Sequence, residues 1–142
     1  MVTVKKVMSD PEMAESMTIR NSVFLADDQS LANEAFDLAS VHFIAYDSQE
    51  TACGTARWRF VDDQIHLEKF AVLKEYRTKG VGTALVKAVL EDIRSNPHTS
   101  GFPIVLACRP ESVFVYQKFG FTKNGDPFLD EDQYFIPMIK SE

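Results

Sequence analysis

Lys69–Leu85 reads KFAVLKEYRTKGVGTAL. An apolar strand end runs into a charged turn, and the turn passes through Gly80 and Gly82 directly into a helical pattern. Two glycines this close permit backbone angles that set successive N–H groups on one concave side. A helix beginning at that point adds its own unpaired N–H groups and the positive end of its dipole. Arg77 and Lys79 bring cationic side chains to the rim, and Thr78 and Thr83 add hydroxyls. Together these parts make a site for a phosphate or pyrophosphate. The nucleotide alternatives fit poorly. The P-loop run G-x-x-x-x-G-K-[ST] is absent, and a dinucleotide fingerprint needs a third glycine in an early β-α-β unit. Here the loop comes mid-chain, after four strands.

The elements on either side follow from periodicity. Val2–Met8 has the β-branched content of a first strand, and Ser9-Asp10-Pro11-Glu12 is a helix start. Met13, Met17, Arg20 and Phe24 continue that helix to about Leu25, and Ala32–Leu38 reads as a second, shorter helix. Val41–Tyr46 and Thr51–Val61 are strands joined by a turn. In the second, Ala56, Trp58 and Phe60 alternate with Arg57, Arg59 and Val61, the pattern of a half-buried antiparallel strand. Gln64–Leu73 is the fourth strand. Beyond Gly82, Leu85, Ala88, Val89 and Ile93 share one helical face until Ser95-Asn96-Pro97 ends it. Pro103–Cys108 is a continuous apolar run, expected to be a strand buried on both faces. Glu111–Phe119 is a brief helix, and Phe121–Lys123 and Gln133–Ile139 are the last strands. The order β-α-(α)-β-β-β-α-β-α-β-β predicts an α/β (mixed α+β) fold: a mixed, mostly antiparallel central sheet flanked by helices.

Composition sets the bounds. The chain has 142 residues, 45% hydrophobic and 25% charged, with 11 Phe, 4 Tyr and 1 Trp as bulky core material. This suits one domain spanning 1–142 that needs no disulfide or metal. A net charge of -6 argues against a nucleic-acid binder. No apolar run approaches the roughly 18–20 residues of a membrane span, and Met1–Asp10 lacks the apolar region of a signal peptide. Cys53 and Cys108 then read as reduced, buried thiols, and the cytoplasm is the expected compartment. His42, His66 and His98 show no metal-ligand spacing.

Two motifs now carry a resemblance. R-T-K-G-V-G-T-A resembles the pyrophosphate-binding [QR]-x-x-G-x-[GA] motif of the GNAT superfamily of acetyl-CoA-dependent N-acetyltransferases. Val115-Tyr116-Gln117-Lys118-Phe119-Gly120-Phe121 is similar to its F-Y-x-x-x-G-F segment, with Val115 in place of the usual aromatic. Glu68–Val72 resembles the cofactor-lining strand, and the element order matches over essentially the whole chain. The resemblance implies direct attack of a primary amine on acetyl-CoA while both are held, so that proximity supplies much of the rate. It implies that main-chain groups around Phe70, Ala71 and Val72 hold the pantetheine arm and polarise the acetyl carbonyl, beside a β-bulge that frees N–H groups. Arg77 with the backbone of Thr78, Lys79, Gly80, Val81, Gly82 and Thr83 would take the pyrophosphate. Tyr116 would protonate the leaving thiolate.

For the proton acceptor the residues leave a choice. Glu68 is the first candidate, provided its pKa is tuned upward; the competing reading pairs it with Lys69, Arg57 or Arg59. His66, on the same strand, is the alternative. Asp27, Asp28 and Glu34 fall in the region that shapes the acceptor site in the family. Two departures from the pattern matter. Arg109 stands where many relatives have an asparagine that contacts the cofactor. Phe135 stands where a G-x-x-F…H-x-x-M tail has histidine. The expected acceptor is a small amine: a polyamine, an amino sugar or an amino-acid-like amine. A protein or peptide amine and a non-catalytic acyl-CoA sensor are the competing readings. Homodimerisation, common in the family, is expected too.

Overall fold

In strand β2 (Val41–Tyr46), Phe43 and Ala45 are buried on one side and His42 and Ile44 on the other, so both faces of the sheet are covered. The computed structural model describes residues 1–27, 37–130 and 132–141, with only the backbone for 24–27. Helix α1 (Asp10–Asp27) packs on β2, on β3 (Ala52–Val61) and on β4 (Gln64–Val72). Helix α2 (Val81–Arg94) packs against the same three strands and also β1 (Thr3–Lys6). The apolar core gathers under α2, where Val81, Leu85, Val86, Val89, Leu90 and Ile93 meet Phe43, Ala56, Trp58, Ile65 and Leu67. Gly54 permits this approach: a Cβ there would stand 2.9 Å from Val81 Cγ1 and 3.1 Å from the Ala71 carbonyl oxygen. Asp92 of α2 ties the layer to the sheet, accepting the Trp58 indole N–H at 3.0 Å and pairing with Lys6 at 2.7 Å.

The strand order is β1-β2-β3-β4-β5-β8-β6, with β5 at Ile104–Cys108, β6 at Thr122–Lys123 and β8 at Gln133–Lys140. Strand β7 (Phe128–Asp130) pairs with β8 as a side hairpin. Among the described residues every pairing is antiparallel except β4–β5, whose parallel union requires the crossover that α2 supplies. That parallel pairing extends only over Ile65↔Ile104 and His66↔Val105. Beyond it the two strands separate and leave an opening in the sheet.

The structure departs from the periodicity at five places. Arg57 is not on a solvated face; it is 2% exposed beneath α1, while Phe60 is 40% exposed. Ala107 is exposed within the apolar run of β5 because the sheet opens there. Of the expected helix Ala32–Leu38, residues 32–36 lie outside the described residues, and Asp37–Ala39 form a 3-10 turn. The expected helix Glu111–Phe119 is a 3-10 turn at Pro110–Ser112 followed by α3 (Val113–Gln117). Strand β7 gave no strand signal in the sequence, since Asp126-Pro127 and Asp130 flank only two apolar residues. Both cysteines are buried and free. Among the described residues no helix is long and apolar enough to cross a membrane.

Candidate active site

The opening between β4 and β5 is a cleft of about 630 Å³. Its shape depends on one irregularity in β4. Thr55 pairs with Ala71 and Arg57 with Glu68, so Ala56 alone faces both Lys69 and Phe70. Lys69 has φ 57°, a left-handed conformation unusual for a side chain of its kind. This is a β-bulge, which leaves ladder groups unpaired and bends the strand. It also reverses the alternation. Ile65 and Leu67 belong to the core under α2, whereas Ala71 packs with Val23 of α1. Phe70 therefore turns to the α2 side, where its ring stands edge-on to Tyr116 at 6.0 Å. Glu68 stays on the α1 side. The extra residue thus separates Glu68 from Phe70 and Val72.

At one end of this arrangement lies the glycine loop. Gly80 has φ 85° and forms the N-cap of α2 without any side-chain hydrogen bond. Ala84 N–H donates to the Gly80 carbonyl at 3.0 Å, so the amides of Val81, Gly82 and Thr83 precede the first intrahelical bond. Thr78 is also left-handed, with φ 67°. A Cβ at Gly82 would meet nothing within 4 Å, so the space beside it is left open by the protein. Arg77 is exposed and donates from Nε to the Val72 carbonyl at 3.1 Å, which fixes the base of its side chain on the end of β4. Lys79 lies against the Tyr76 ring. Lys118, not singled out in the sequence, reaches Thr83 Oγ1 at 3.4 Å and adds a further cation. An uncapped helix start with open space beside Gly82 and cations around it fits the diphosphate of a CoA thioester.

In the middle of the cleft sits Tyr116, buried between Phe70 and Phe121. Burial, with a smaller contribution from Cys108, raises its phenol pKa above the ordinary value, and no hydrogen bond enters the balance. The hydroxyl keeps its proton at any physiological pH. Cys108 lines the same cleft, and burial with Glu111 pushes its thiol up to about 11. A neutral thiol is a poor nucleophile.

The α1 side of the cleft is built around a chain of buried charges. Arg20 of α1, 2% exposed, grips Asp37 with two hydrogen bonds of 2.9 and 2.6 Å. Arg57 Nη1 donates to Asp37 at 2.7 Å, and its Nε and Nη2 reach Glu68 Oε1 at 3.0 and 2.9 Å. Arg59 Nε reaches the same oxygen at 2.8 Å. All these contacts fall on Oε1, so Oε2 has no partner among the described residues. Burial pushes the Asp37 and Glu68 carboxyls up, but the guanidiniums more than reverse this and both lie below their ordinary values. The upward tuning that a general-base role for Glu68 called for thus runs the other way. His66 shares the α1 side, and burial, aided by Arg59, lowers its pKa. Its imidazole is neutral near pH 7. Lys69 is held below the usual lysine value by burial and by Arg57.

Asp37 and the buried role of Arg20 were missed in the sequence. A cation inside an apolar helical stripe was the available signal for Arg20; Asp37 had none. Arg109 lines the cleft and donates to Gln133. Asp28 and Glu34 lie outside the described residues, as does the Asp27 side chain. Among the described residues no group of three or more His, Cys, Asp or Glu could hold a metal ion.

A sheet opened beside a bulge, an uncapped glycine-rich helix start at its edge and a buried tyrosine between them define an acyltransferase of the CoA-dependent class. The chain belongs to the GNAT acetyltransferase family, whose domain model, acetyltransferase (GNAT) domain, matches residues 4–142. Among curated proteins it is 30% identical to YjcF, an uncharacterized N-acetyltransferase of Bacillus subtilis, over 93% of this chain and 94% of that one. Among solved structures, Escherichia coli ElaA superposes with a TM-score of 0.81 at 20% identity, covering 99% of this chain and 100% of the other. A GNAT family acetyltransferase from Elizabethkingia anophelis with acetyl-CoA bound gives 0.72 at 12% identity, covering 99% and 98%. At such identities the likeness is one of fold.

Proposed function

We propose that the protein transfers an acetyl group from acetyl-CoA to the primary amine of a small molecule, by direct attack with both substrates held in the cleft. The observation that carries this reading is the bulge at Lys69–Phe70 facing Tyr116 across the opening between β4 and β5. Acetyl-CoA supplies the acetyl group as a thioester. Arg77 and the amides from Thr78 to Thr83 hold its diphosphate, and the main chain of Phe70, Ala71 and Val72 lines its arm and polarises the carbonyl. Glu68, ionised and immobilised through Oε1, offers Oε2 to the incoming ammonium group. His66, neutral beside it, takes the proton that the amine must lose. A C–N bond then forms and the C–S bond breaks. Tyr116 gives its proton to the departing thiolate and recovers one from the attacking nitrogen through water, while the proton taken by His66 passes to solvent. Burial and Glu111 push the Cys108 thiol up to about 11, which makes it a weak nucleophile and favours direct transfer over an acyl-cysteine intermediate.

Calorimetric titration with acetyl-CoA, followed by an amine screen that detects free thiol, tests the reading. Binding and amine-dependent thiol release are expected. A folded protein that ignores acetyl-CoA and related acyl-CoAs would overturn it.

A further inference from the structure

The hairpin of β7 and β8 forms a wall of the same cleft. Its register pairs Phe128 with Phe135, Leu129 with Tyr134 and Asp130 with Gln133. Directly opposed residues of an antiparallel pair share a face. Phe128, Phe135 and Asp130 all line the cleft, whereas Leu129 and Tyr134 are on the outer side and more than half exposed. The two cleft-side rings are stacked, with centroids 5.9 Å apart and planes inclined by 25°. Phe135 is buried, but Phe128 leaves 43% of its surface exposed. Core packing explains the first ring and not the second. A phenyl ring held at the mouth of a cleft by a three-residue edge strand presents a flat apolar surface to whatever enters.

The charges along the cleft narrow the choice. Among the described lining residues the cations are Arg57, Lys69 and Arg109, and the carboxylates are Glu68 and Asp130. Glu68 has one oxygen committed to Arg57 and Arg59. One ammonium has a receptor in Glu68 Oε2, and the one other carboxylate among the described lining residues, Asp130, stands on the β7–β8 hairpin. Apolar surface remains for the rest of the acceptor.

Resting on the proposed transfer reaction, we infer that the acceptor is an arylalkylamine: a single primary amine on a short chain that ends in an aromatic ring. The ammonium meets Glu68, and the ring lies against Phe128 and Phe135. Offset aromatic pairs at such spacing are favourable beyond the area they bury.

Steady-state kinetics with acetyl-CoA and phenethylamine, n-butylamine or spermidine test the assignment through thiol release. Phenethylamine should exceed n-butylamine in kcat/KM by about tenfold or more, with spermidine lowest. Phe128→Ala should collapse that ratio toward one mainly through KM, while Leu129→Ala, on the outer face, should leave it unchanged. Equal efficiency for the two monoamines, or a preference for spermidine, would overturn the arylalkylamine assignment and leave the transferase standing. Saturation-transfer NMR of phenethylamine with the acetyl-CoA-loaded protein covers the remaining case. Binding without turnover of any amine would support the pocket while defeating the transfer reaction. No binding would defeat the assignment itself.

Discussion

The proposed diphosphate cradle comes from seven consecutive residues, Arg77–Thr83, whereas Glu68 is fixed by side chains from α1, the turn at Asp37, β3 and β4. The first region presents backbone amides and is built from a left-handed glycine and the start of a helix. The second works through side-chain charges that are buried and therefore have to be paired. The cradle is open to solvent and tolerant of its neighbours. The charge chain ties the fold to the site, so a change in one should be felt in the other.

The comparison breaks most completely at Gly82. Gly82→Trp should abolish acetyl-CoA binding in calorimetry while the circular dichroism spectrum and unfolding midpoint stay close to wild type, because the added side chain enters space the protein leaves open. Asp37→Asn should do the reverse. It strips a carboxylate from two buried guanidiniums, and urea unfolding should register a loss of about 3 kcal/mol, with acetyl-CoA affinity little changed in whatever protein remains folded. If Asp37→Asn proved neutral for stability, the charge chain would not be the structural element described here.

Tyr116→Phe sharpens the comparison from within the cleft. It should lower kcat by about 100-fold with acetyl-CoA affinity retained, since only proton delivery is removed. The pH profile separates the two proton carriers. Because the His66 pKa is below its ordinary value of 6.5, kcat/KM should rise with pH through a midpoint below 6.5, and His66→Gln should erase that limb. Tyr116, with its pKa raised, should contribute no alkaline limb up to about pH 10.

The smallest effect expected is on acid stability. The Glu68 carboxyl is depressed in the folded protein, so its contribution is fully present above the unfolded value near 4.5 and is lost as pH falls through the lower folded value. His66 acts in the same direction: below 6.5 the unfolded chain takes a proton the folded chain resists, and stability falls. Glu68→Gln should flatten the acidic end of a stability–pH curve, and His66→Gln the region nearer neutrality.

How much of this was legible in the chain depended on range. The strand–turn–helix at Lys69–Leu85 was readable because glycine conformation, helix polarity and apolar spacing are local properties, and the structure has the same elements there. The order of strands β2 to β5 was readable for the same reason. Arg57 was misjudged: on alternation alone it belonged to a half-solvated strand, and no local signal announces that α1 covers that face. The strand that carries Phe128 was not legible because three residues have too few alternations to register, and only its partner β8 makes it a strand.

By itself, then, the sequence determined most of the elements, the glycine loop and the tyrosine segment that together carry the family resemblance, since each is encoded within a few turns of chain. Tertiary structure decided which face each side chain took. One inserted residue in β4 separates Glu68 from Phe70, and the parting of β4 from β5 after two residue pairs creates the cleft. Both depend on pairing between distant strands, where register is set by the partner and not by the strand's own pattern.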